Sequence, residues 1–288
     1  MSFSSETKSE LITLAAHKSC CRHALATGLL FDADTDGDSR TVLTLHSKEL
    51  AEFAKKSLSA VFGNESLPYE PVYNGARGYD LAIISEDAPA FVGILPLIRC
   101  SECIQHFLRG LFIALGSVTD PERQYHIEFK LAHDERLADL SDYLSDTFDK
   151  RPITVSRKSG SGLVYKNSSL IEDVLTACGA NHSLFTLINT KIESELRNNA
   201  NRATNCETRN IANAVAASEK QIAAIDALDA AGELDKLPVE LRETAQLRRL
   251  YPDMPLSELG ARHAPPISKS GINHRIKKLL DAAEKLRK

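Results

Sequence analysis

The chain has 288 residues, of which 43% are hydrophobic and 26% charged. That length suits two domains, or one domain with an appendage, and the balance excludes a disordered or fibrous chain. The formal net charge of −4 is unevenly spread: residues 1–190 carry −7, residues 191–267 carry −2, and residues 268–288 carry +5. An acidic body with a basic C-terminal end points to an anionic partner met by that end.

MSFSSETKSE, at residues 1–10, lacks the apolar stretch of a secretory signal. The longest apolar run, FVGILPLI at 91–98, is interrupted by Gly93 and Pro96 and is too short to cross a bilayer. A cytoplasmic location with no membrane partner is expected.

Taken in chain order, the first elements occur twice. The helix CRHALATGLLFD (21–32) lies over CIQHFLRGLFIA (103–114), matching Cys21 to Cys103 and Gly28 to Gly110. An acidic turn follows each helix, DTDGD at 34–38 and TDPER at 119–123. Next come an alternating strand (40–47 or 124–133) and an amphipathic helix (47–63 or 134–148). A strand–turn–strand completes each copy, turning at Asn74-Gly75 in the first and Ser159-Gly160 in the second. With the acidic turn read as a hairpin, each half reads α-β-β-α-β-β, closed by a further helix such as 169–179. A glycine inside a helix costs about 1 kcal/mol relative to alanine. Gly28 and Gly110 are expected to recover that by letting two helix backbones approach in a shared seam.

The acidic turn DADTDGDS (32–39) begins like a calcium loop, but its twelfth position is Leu43 where a bidentate Glu is required. A hairpin turn at Asp36-Gly37 is the expected structure. Six cysteines stand at 20, 21, 100, 103, 178 and 206. Adjacent Cys20 and Cys21 suit no disulfide framework, so reduced thiols are expected. Cys100 and Cys103 form a lone CxxC, and a zinc site would need two more ligands at matching spacing. Neither a metal nor a cofactor is expected. The histidines show no H-x-x-x-H pair, and SGSG at 159–162 lacks the lysine of a phosphate loop.

From 183 to 218 the chain reads as a helical linker, rich in Asn and Arg and free of Pro and Gly. Helices at 218–232 and 237–251 follow, and then PLSELGARHAPPISKSGINHRIKKL reads as helix–turn–helix. Gly260 relaxes the inter-helix packing, Pro265-Pro266 ends the turn, and Ser268 is an N-cap. Ile272, Ile276 and Leu279 share the inward face. Lys269, Ser270, Asn273 and His274 lie in the first turns, where a recognition helix reaches base edges. Arg275, Lys277 and Lys278 are expected to face outward to phosphates. Double-stranded DNA is thus the expected partner of Ser268, Lys269, Ser270, Asn273, His274, Arg275, Lys277 and Lys278.

The strings ELRNNANRATNCETRNIANAV (195–215) and LPVELRETAQLRRLYPDMPLSELGARHAPPISKSGINHRIKKL (237–279) closely resemble the WhiA family of bacterial regulators, and the repeated N-terminal part fits as well. The resemblance implies an α+β protein: a pseudo-twofold, LAGLIDADG-like αββαββα repeat followed by an all-α helix-turn-helix domain. The halves fall at 1–98 and 99–182, the linker at 183–218, and the helical domain at 219–288, with its helix-turn-helix at 255–288. It implies a nucleoid-associated regulator that binds promoter DNA in sporulation, or in cell division and chromosome segregation.

LAGLIDADG nucleases place an acid at the eighth motif position of each half, and the pair holds the metal that activates water. Laid on 108–116 that position is Leu115; laid on 26–34 it is Ala33, flanked by Asp32 and Asp34. One half lacks its ligand, so no enzyme is expected. A body at −7 also lacks the cationic surplus of a DNA saddle, and a protein partner for the N-terminal domain is the alternative. A metal-dependent endonuclease and a chromosome-anchored adaptor are the rival functions.

Overall fold

The computed structural model describes residues 2–35, 40–75, 78–84, 99–157 and 160–286. The expected turns at Asp36-Gly37 and Ser159, the apolar run 91–98 and the cations Arg287 and Lys288 lie outside the described residues. The chain divides into two compact units, residues 1–194 and 195–288.

In the first unit, α1 (Phe3–Leu11) precedes the repeat and was not anticipated. Ser2 starts it with a capping box, its hydroxyl accepting from Ser5 N while Ser5 Oγ accepts from Ser2 N. The first half then runs α2 (Ser19–Leu30), β1 (Asp34–Thr35), β2 (Thr41–Leu45), α3 (Lys48–Phe62), β3 (Val72–Tyr73) and β4 (Tyr79–Ile83). The second runs α4 (Glu102–Leu115), β5 (Gly116–Val118), β6 (Ile127–Leu131), α5 (Leu137–Phe148), β7 (Ile153–Arg157) and β8 (Gly160–Tyr165), and is closed by α6 (Ser168–Cys178). Each half builds a four-stranded antiparallel sheet of the same order, β1-β2-β4-β3 and β5-β6-β8-β7.

Strand alternation sets which face is buried. Leu43 pairs with Leu81 in the first sheet and Phe129 with Leu163 in the second, and all four are buried. Between the sheets' helices, α2 and α4 form the seam. A Cβ on Gly28 would lie 2.2 Å from the Phe107 carbonyl oxygen, and one on Gly110 2.3 Å from that of Leu25. Phe31 and Phe107 add an edge-on ring contact at 6.1 Å.

α7 (Asn181–Ala230) is one helix of 50 residues, continuous past the boundary expected near 218. Its uninterrupted length follows from the absence of Pro and Gly between Gly179 and Gly232, which both take positive φ. Its first turn is capped by Glu10, whose carboxylate accepts from His182 N, Ser183 N and Ser183 Oγ.

The second unit packs the end of α7 with α8 (Val239–Leu250), α9 (Leu256–Ala261) and α10 (Lys269–Lys285). Ile225, Leu228, Leu241, Ala245, Leu259, Ile272, Ile276 and Leu279 form its core. Among the described residues no helix is long and apolar enough to cross a membrane.

Candidate nucleic-acid interface

The turn that joins α9 to α10 packs back on a glycine of α9. Ile267 N donates to Gly260 O, and a Cβ on Gly260 would lie 2.6 Å from Ile267 O. Ser268 starts α10, its hydroxyl accepting from Gly271 N. Helical periodicity then sorts the sequence. Ile272, Ile276, Leu279 and Ala283 are buried, whereas Ser268, Lys269, Ser270, Asn273, His274, Lys277 and Lys278 are exposed.

Arg275 departs from the expected pattern. It is half-buried and turned inward, with Nη1 3.4 Å from Glu240 O on α8 and 3.4 Å from His263 Nδ1. His263 is itself buried, and its Nε2 lies 3.4 Å from Thr244 Oγ1. With Arg275 donating to Nδ1, the ring proton sits on Nε2, toward Thr244. Glu243 Oε2 approaches the same Nδ1 at 3.3 Å, where it would accept from the ring in the tautomer or charge state that carries a proton on Nδ1. The cation expected on the outer face instead ties α10 to α8, because it falls beside Ile272 and Ile276 on the wheel.

The sequence reading also missed Arg248. Only 3% exposed, it donates through Nη1 to the carbonyls of Tyr251, Pro252 and Met254, fixing the turn between α8 and α9. Burial pulls its guanidinium below the usual arginine range. Beside it, Arg249 pairs with Asp226 and Asp229 on α7. Arg262 stacks on Tyr251 at 4.3 Å from the ring centre. The Asn- and Arg-rich stretch 195–217 is exposed on every face of α7.

In the first unit, the C-terminal ends of the seam helices open into a cleft of ≈ 650 Å³ lined by Asp32, Asp34, Leu115, Lys130 and others. Asp32 accepts from Ala132 N at 2.5 Å and His133 N at 3.3 Å. The His133 ring bridges the two acids, Nδ1 to Asp32 and Nε2 to Asp34, each at 3.1 Å. Burial pushes the Asp32 carboxyl above its ordinary value, opposed by those hydrogen bonds. Arg136 donates to the carbonyls of Phe31 and Ala33, just past the end of α2. Both acids thus come from one half and are engaged by the other. Their counterparts by the glycine superposition are Ala114 and Gly116, with Leu115 opposite Ala33.

At the other end of the seam the sequence expectation fails. The CxxC is not alone: Cys20 and Cys21 of the first half meet Cys100 and Cys103 of the second, with all four sulfurs within 4.8 Å of one another. The second pair lies 80 residues away and is adjacent rather than spaced, so no local motif announces it.

A family model described as the WhiA LAGLIDADG-like domain matches residues 104–197, and one described as the WhiA C-terminal HTH domain matches residues 200–283. The chain is 40% identical over 192 residues to a probable cell division protein WhiA from Clostridium novyi, covering 67% of this chain and 60% of that protein. It is 39% identical over 208 residues to the Clostridium acetobutylicum protein of the same name, covering 72% and 64%. The matched part therefore spans about three fifths of these relatives' length. Full-length WhiA from Thermatoga maritima superimposes with a TM-score of 0.59 at 26% identity, over 99% of both chains. Repeat, seam, helical domain and these matches agree: the chain belongs to the WhiA family, with a LAGLIDADG-like α+β domain and a helix-turn-helix domain.

Proposed function

We propose that this chain is a DNA-binding regulator of cell division or sporulation that reads promoter duplexes through α9 and α10. The observation that carries the reading is the single outer face of α10, where Lys269, Ser270, Asn273 and His274 lead and Lys277 and Lys278 follow. Short polar side chains in the first turns suit base edges, and the later lysines suit phosphates. Ser268 supports this face as the cap, and Arg275 as the tie that holds it against α8. Localisation with the nucleoid follows from the same activity.

On this reading the LAGLIDADG-like domain does not cut. Metal-assisted hydrolysis at the seam needs a carboxylate from each half. Here Leu115 stands where the second would be, and Asp32 is held by backbone amides. The domain is free to serve a protein partner or a chromosome-anchoring role instead. Fluorescence titration of the full chain with promoter duplexes across salt concentrations tests the proposal. Binding that is sequence-selective and weakens steeply with salt supports it; no binding at low salt contradicts it. Cleavage of supercoiled DNA with Mg²⁺ or Mn²⁺ that disappears in Asp34→Asn contradicts the non-cutting half.

A further inference from the structure

We propose that Cys20, Cys21, Cys100 and Cys103 form a tetrathiolate site for one zinc ion, which clamps the N-terminal ends of the two seam helices. The inference is independent of DNA reading, because it concerns the other unit of the chain.

The geometry of the sulfurs is the main support. Cys100 Sγ lies 3.7 Å from Cys20 Sγ, 3.6 Å from Cys21 Sγ and 3.5 Å from Cys103 Sγ. A tetrahedral ion with Zn–S bonds of about 2.3 Å holds its thiolates about 3.8 Å apart. All four cysteines are free of disulfides. A multi-iron cluster would interpose its own iron and sulfide atoms and spread the thiolates, so this spacing suits a single ion.

The sequence delivers the ligands without straining the helices. Cys20 and Cys21 occupy the first turn of α2. Cys100 precedes α4 and Cys103 lies in its first turn, so the CxxC closes around one point. Cys21 and Cys103 are also mates in the internal repeat, so the pseudo-twofold that brings Gly28 to Gly110 brings them together. Four thiolates and a divalent cation leave a net negative site. Lys18 stands beside it, paired with Glu102 at 2.7 Å, and Glu102 Oε2 lies 3.9 Å from Cys21 Sγ. On metal binding the thiol protons pass to solvent.

Four protein ligands leave no open position, which makes this a structural site. It cross-links residues 79 to 83 positions apart in sequence and joins the halves at the end of the seam opposite Asp32 and Leu115. The exposed Cys206 on α7 lies outside it and serves as a control.

The test uses the full chain, purified under reducing conditions without chelators, with metal content measured by inductively coupled plasma mass spectrometry. About one zinc per chain is expected for the wild type and for Cys206→Ser, and its loss in Cys103→Ser. Where Cys103→Ser fails to fold, the wild type still decides. Exchanged into Co²⁺, it should show the intense visible bands and sulfur-to-metal charge transfer of a tetrahedral thiolate site. A wild type that takes up neither zinc nor cobalt overturns the proposal. So do the brown absorption of an iron–sulfur cluster, an octahedral cobalt spectrum, or zinc retained in full by Cys103→Ser.

Discussion

Gly28 and Gly110 lie opposite each other in the seam, each packed directly against the backbone of the other helix where a side chain would need space. The nearest backbone atoms, Phe107 O and Leu25 O, would lie 2.2 and 2.3 Å from an added Cβ. Neither can swing aside as a flexible side chain could. Gly28→Ala or Gly110→Ala should force α2 and α4 apart and destabilise the first unit by about 3 kcal/mol, at the upper end of overpacking effects. Urea unfolding followed by tyrosine fluorescence, with six of the seven tyrosines in the first unit, measures it, and a change within 0.5 kcal/mol, as is usual at a surface site, would contradict the close seam.

Lys8 offers a pH test. It is 5% exposed, and burial lowers its ammonium pKa from the ordinary 10.5 to about 8. Between those two values the unfolded chain binds the proton and the folded chain does not. Stability should therefore rise with pH from about 8 to about 10.5, by up to about 3 kcal/mol from this group. Lys8→Met should be more stable than the wild type at pH 7 and should lose this rise. Paired urea titrations at pH 7 and 10 measure the difference.

Arg248 holds three carbonyls of the turn between α8 and α9 through one guanidinium nitrogen. Hydrogen bonds from a charged group contribute about 1.5–3 kcal/mol each. Arg248→Ala should lower the stability of the helical unit by roughly 3 kcal/mol and weaken DNA binding with it. Thermal unfolding of the variant checks the first effect, and the duplex titration checks the second.

Lys278 projects from the exposed outer face of α10. Lys278→Ala should leave stability unchanged, weaken binding to all duplexes alike, and reduce the salt slope by about one counterion. Arg275→Ala should differ, lowering stability as it releases His263 and the Glu240 carbonyl. Comparing the two variants at three salt concentrations separates a phosphate contact from a structural tie.

Much of this architecture was legible because it is written in periodic apolar positions. The two αββαββ halves, the seam glycines and the helix-turn-helix all rest on local spacing that helices and strands impose. Ser268 and Gly260 were readable for the same reason, since caps and tight turns demand particular residues. What escaped was non-local. α1 buries Thr7 and Lys8 beside Leu11, so it carries no clean apolar stripe. Arg275 and Arg248 have the composition of surface residues and are drawn inward by carbonyls that only tertiary packing places. The cysteine cluster depends on the fold to join two pairs from different halves. His133 reaches Asp32 across 101 positions, which no window along the chain could show.

The DNA-reading role proposed for the exposed start of α10 rests on Asn273. Mapping bound DNA across the genome with the wild type and with Asn273→Ala, at matched protein levels, tests it most directly. Discrete promoter sites sharing one motif are predicted for the wild type, and in the variant those sites should weaken or the motif should relax at one base pair, an effect of about 1–3 kcal/mol. The same sites bound with the same motif and occupancy in both proteins would contradict the assignment of DNA reading to this face.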